Sequence, residues 1–133
     1  MKLYATITLL CFFVAASAQE NTIGSDEEVR ILSAYHGLDP IPAQATRLCG
    51  IAPVSDQDGM PVIFSVQISS ASVSAAAFEV ETSSGEIVTP LCATLRPAFE
   101  PLEQRTVLLI GAFSPEESLP LSVEIVEHLE DVD

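Results

Sequence analysis

The sequence predicts an all-β fold: a single sandwich of six to seven short strands, stapled by one disulfide. Three observations predict it. Short runs of alternating apolar and polar residues recur along the chain, separated by Gly/Pro turns. No stretch carries the apolar period of an amphipathic helix. Two cysteines, Cys49 and Cys92, remain as an even pair once an export signal is set aside.

The export signal comes first. Lys2 supplies a positive start, Leu9-Leu10-Cys11-Phe12-Phe13-Val14-Ala15 an apolar core, and Ala16-Ser17-Ala18 a small-residue cleavage site. A membrane anchor needs about 20 apolar residues, and this run stops short. Residues 1–18 are therefore read as a cleaved signal peptide and the protein as secreted or periplasmic, with no membrane span after cleavage. Residues 19–28 read as a flexible acidic lead-in, 29–126 as the sandwich and 127–133 as an acidic tail.

Val29 to Tyr35 alternates as a first strand. Residues 36–61 are dense in turn formers (Gly37, Pro40, Pro42, Gly50, Pro53, Gly59, Pro61), a long connection that Cys49 should pin to the core. Val62 to Ile68 follows, with Val62, Phe64, Val66 and Ile68 on one face and Ile63, Ser65 and Gln67 on the other. Ser69 to Ala77 reads as a helical turn or a crossing loop. Phe78 to Thr82 alternates with Glu79 and Glu81 toward solvent, Ser83-Ser84-Gly85-Glu86 is a hairpin turn, and Glu86 to Thr89 returns. Leu91 to Leu95 carries Cys92. Thr106 to Ile110 is an unbroken apolar run, expected as a central strand. Leu121 to Val126 is the last.

Of three cysteines, Cys11 leaves with the signal, so a Cys49–Cys92 disulfide is expected in an oxidising compartment. Closing a loop of this size stabilises a domain by about 4 kcal/mol in the chain-entropy model. The pair cannot make a four-ligand zinc site, with only His36 and His128 to help.

Charge narrows the function classes. After cleavage, four arginines (Arg30, Arg47, Arg96, Arg105) face nineteen acids, a net of −15. Such a chain repels phosphate backbones and anionic lipid heads, so no nucleic-acid partner is expected. Solubility is the plainer and preferred reading of that charge, and attraction of cations such as calcium the sharper one. Asp56-Gln57-Asp58-Gly59 is half of a calcium-loop pattern, which makes Asp56 and Asp58 the candidate metal ligands. The acid expected at Val54 and the glutamate expected at Ser65 are missing, and the same residues read as an Asp-Gly turn. No cofactor is expected beyond this candidate calcium.

No catalytic residue is assigned. The expected mature chain has no Lys, no thiol outside the disulfide and no G-x-S-x-G elbow. His36 and His128 lie in a loop and in the acidic tail. Glu79 and Glu81 form a side-by-side pair on a solvent face, and the chain lacks Trp to platform a sugar.

Val62 to Pro90 resembles part of the bacterial immunoglobulin-like domains of S-layer and other exported proteins. The resembling features are a strand ending in Phe64-Ser65, the Ser/Ala-rich turn before Phe78-Glu79-Val80, and the Ser-Ser-Gly hairpin with its return. The resemblance covers about a quarter of the mature chain. It implies an immunoglobulin-like sandwich and a structural or binding role, and carries over no catalytic residue. The cysteine pair departs from it. The expected function is a non-catalytic exported module of the cell envelope or extracellular space that meets a protein partner. The alternative is a calcium-dependent binding domain.

Overall fold

The computed structural model describes residues 28–98 and 100–132. The expected signal peptide and most of the lead-in lie outside them. The described residues form seven strands: β1 (Ile31–Ala34), β2 (Asp58–Phe64), β3 (Phe78–Thr82), β4 (Ile87–Val88), β5 (Cys92–Thr94), β6 (Thr106–Gly111) and β7 (Pro120–Ile125). They make two antiparallel sheets, β1-β2-β6-β5 and β4-β3-β7.

Both sheets bury alternate side chains against each other, giving a sandwich-like core. Val62 and Phe64 of β2 and Val107 and Leu109 of β6 face Phe78 and Val80 of β3, all fully buried. Phe64 and Phe78 meet edge to face, ring centroids 6.3 Å apart, the geometry favoured by ring quadrupoles. Val66 and Ile68 continue the buried face beyond β2. Glu79 and Glu81 are exposed, as alternation requires. β6 lies between β2 and β5, the central position expected of its apolar run.

The Cys49–Cys92 disulfide forms, with Cα atoms 6.2 Å apart. It ties a 3₁₀ segment, Ala43–Cys49, to β5. Thr46 centres that segment. It is fully buried, and its hydroxyl donates to Ala52 O at 2.7 Å while lying 3.0 Å from Ala43 O. The buried Thr46 hydroxyl is thus satisfied by carbonyls of its own loop.

Two expectations need correction. The second strand starts four residues earlier than its alternation indicated, at Asp58, and ends at Phe64. Pro61 sits inside it without breaking it. Its carbonyl accepts the Tyr35 N–H, so the missing proline N–H falls on the β1 side, where β1 is already ending. Ser65, expected with Ile63 and Gln67 on the face opposite Val62 and Phe64, is buried like its apolar neighbours Phe64 and Val66. The chain bends after Phe64, and the Ser65 hydroxyl donates to Glu28 O and accepts from Arg30 N–H.

The acidic tail takes part in the fold. Leu129 is buried in the core. Ser69 N–H donates to Glu130 O, Val132 N–H donates to Gln67 O, and Ile68 bridges Asp131. The chain therefore leaves β7 at Val126 and crosses the end of the sandwich without doubling back beside β7.

Candidate functional site

An antiparallel sheet exposes unpaired backbone donors and acceptors at each edge, and folds blunt those edges by shortening or bulging them. The edges here are β1, β5, β4 and β7. β4 has 2 residues and β5 has 3. β1 has 4, with its register to β2 interrupted between Ile31 and Ser33. β7 has 6 and is the longest edge among the described residues.

β7 pairs with β3 on one side. The Val126 N–H donates to Ala77 O, and the register sets Glu124 opposite Glu79 and Ser122 opposite Glu81. Antiparallel alternation therefore turns the backbone groups of Ser122 and Glu124 toward β3. Those of Val123 and Ile125 point to the other side, where no described strand lies.

That side is a trough of about 1280 Å³ between β7 and β1. Its apolar lining is the buried Leu129 with Val29, Ile31, Val123 and Ile125, the last four half-buried and packed on the core. Its polar lining is mostly carboxylate: Glu28, Glu124, Glu127, Glu130 and Asp131, with Arg30 the cation and His128 beside them. A smaller hollow of about 70 Å³ continues the line past Val123, between Tyr35 and Leu121. Both of these side chains are more than half exposed.

The sequence-derived candidates lie elsewhere or apart. Asp58 Oδ2 accepts the N–H groups of Phe113 and Ser114, each at 2.9 Å. Its pKa is raised, first by burial and then by the hydrogen bond and charge of neighbouring Asp39, against the lowering effect of those two N–H donors. Asp56 is exposed, in a left-handed turn with φ 57°. Among the described residues, no three His, Cys, Asp or Glu side chains gather in a way that would hold a metal ion. His36 is exposed and borders the smaller hollow, and His128 borders the trough. No described helix is long and apolar enough to cross a membrane.

Sequence reasoning missed the trough, because no motif marks it. The available signals were β7's clean alternation and the uneven strand lengths. Which strand ends a sheet depends on pairing between distant segments. No protein-family model, no curated protein and no solved structure matches this chain.

Proposed function

We infer that this protein is an exported, non-catalytic binding module of the cell envelope or extracellular space, and that it recognises an extended segment of a partner protein by strand addition. The carrying observation is the edge of β7, unpaired on its outer side among the described residues, whose Val123 and Ile125 backbone groups face the trough shared with β1. Strand addition uses such an edge: main-chain hydrogen bonds give affinity, and pockets for alternate side chains give specificity.

The strand order supports an immunoglobulin-type reading of the sandwich. β1-β2-β6-β5 follows the A-B-E-D order of the first sheet of such domains, and β4-β3-β7 follows C′-C-F of the second. In that scheme the G strand belongs beside β7, where the trough lies. The carboxylates of the trough lie on an open, solvated surface, which favours binding over acid–base chemistry.

The test is a selection from a random library of extended peptides, followed by amide hydrogen exchange on the complexes. Binders should slow exchange at Val123 and Ile125. If selected peptides protect other surfaces and leave these two amides unchanged, the strand-addition reading is wrong.

A further inference from the structure

On the reading of β7 as a binding edge, we propose that the guest is a cationic strand: an extended segment with alternating aliphatic and Lys or Arg side chains, held between β7 and β1. The trough sets both halves of that pattern. A strand added to β7 sends alternate side chains inward and outward. The inward ones meet Val29, Ile31, Val123 and Ile125, an aliphatic floor already packed on the core. The outward ones meet Glu124 and the acidic rim formed by Glu127, Glu130 and Asp131.

Glu124 makes the charge requirement specific. It stands directly opposite Glu79 across the β3–β7 ladder, and both are exposed. Like charges opposite one another on a sheet face repel. A cation placed on the other flank of Glu124 by a guest strand adds an attraction that offsets that repulsion. Arg30 alone cannot neutralise five carboxylates along the trough.

The same charge pattern argues against occupants drawn from this chain. Residues 19–27, which precede the trough, hold three acids and one aliphatic residue, Ile23. They offer neither alternation nor positive charge. A second copy would bring its own acidic β7 edge, on a chain of net charge −14, against the first.

The probes are three synthetic peptides of about nine residues, long enough to cover β7. They share alternating valines and carry lysine, glutamine or glutamate between them. With the full disulfide-bonded protein at low ionic strength, the lysine peptide should bind about tenfold more tightly than the glutamine peptide. Added salt should close that gap. The glutamate peptide should not bind, and the lysine peptide should slow exchange at Val123 and Ile125. The triple variant E124Q/E127Q/E130Q should reduce lysine-peptide affinity to the glutamine level, with its melting temperature measured alongside to show that it folds.

Equal, salt-independent binding of the lysine and glutamine peptides would overturn the cationic preference and leave strand addition standing. Val123 and Ile125 amides already slow in the free protein, or a dimer mass in solution, would overturn it by showing the edge filled by this chain. No binding by any of the three peptides, together with an empty library selection, would remove the strand-addition reading itself.

Discussion

The Asp58 carboxylate accepts the backbone N–H of Phe113 at 2.9 Å, linking the start of β2 to the turn after β6 across 55 residues. The same oxygen takes the Ser114 N–H, so one side chain at the first position of β2 fixes the chain's exit from the central strand. Replacing it with alanine leaves both donors without their acceptor. Asp58→Ala should destabilise the fold by about 1–3 kcal/mol for each donor left unsatisfied, read from denaturant unfolding.

Asp58 also sets a pH dependence of unusual sign. Its folded pKa lies above the ordinary 3.8, through burial first and then Asp39. The folded state therefore binds the proton more readily than the unfolded state. The stability contributed by this titration is fully present below the ordinary aspartate pKa. It is lost as pH rises through the folded value. Asp58→Asn keeps an acceptor but cannot titrate. The melting temperature of the natural protein, measured relative to Asp58→Asn, should rise as pH falls from neutrality toward 4. A relative melting temperature that falls on acidification would contradict the assignment.

Gly111 ends β6 beneath the Phe113 ring. A Cβ there would lie 2.8 Å from Phe113 Cε1, 2.9 Å from Cζ and 3.3 Å from the Pro90 backbone. Phe113 is fully buried and cannot swing into solvent. Gly111→Ala should cost about 1–3 kcal/mol through overpacking, visible as a lower midpoint in urea. An unchanged midpoint would show that the ring yields freely.

The disulfide is the strongest covalent constraint on the 43-residue separation between Cys49 and Cys92. The double variant C49S/C92S should lose about 2–5 kcal/mol. Far-UV circular dichroism should remain that of a β protein wherever the variant still folds.

The Glu79–Glu124 repulsion is testable without touching the trough, since Glu79 lies on β3. Glu79→Lys should stabilise the protein by about 0.2–1 kcal/mol by turning a like-charge cross-strand pair into an opposite one. The gain should shrink in high salt.

How far the fold was legible follows from how local each signal was. Alternation in Phe78-Glu79-Val80-Glu81-Thr82 marks β3 because one face is buried and the other wet. The hairpin at Ser83 to Glu86 is local too, closed by Gly85 at φ 82°. Cys49 and Cys92 were legible because reading residues 1–18 as a signal removes Cys11 and leaves two cysteines with one pairing. Asp58-Gly59 and Pro61 misled because they carry turn chemistry, and only their neighbours in β1 and β6 show that a ladder tolerates them. Leu129 gave no signal, being a single apolar residue between His128 and Glu130. The trough was illegible for a deeper reason. It exists because β7 pairs with β3 alone among the described strands while the tail turns toward Ile68, and no periodicity within β7 encodes what lies beside it.

The pairing pattern bears on how quickly this chain finds its structure. The β3–β4 hairpin is the local pairing. β2 must find β6, joining residue 58 to residue 111, and β3 must find β7, joining 78 to 125. Such topology places the protein among the slow folders, on the millisecond-to-second scale, because loop-closure entropy is spent before the distant contacts are rewarded. A Cys49–Cys92 bond formed early closes neither of these loops, but it joins the segment ahead of β2 to β5, the neighbour of β6, and so shortens the path by which β2 finds β6. Oxidised protein should therefore refold faster than reduced protein, and reduced protein should spend longer with its apolar strands exposed to one another's edges.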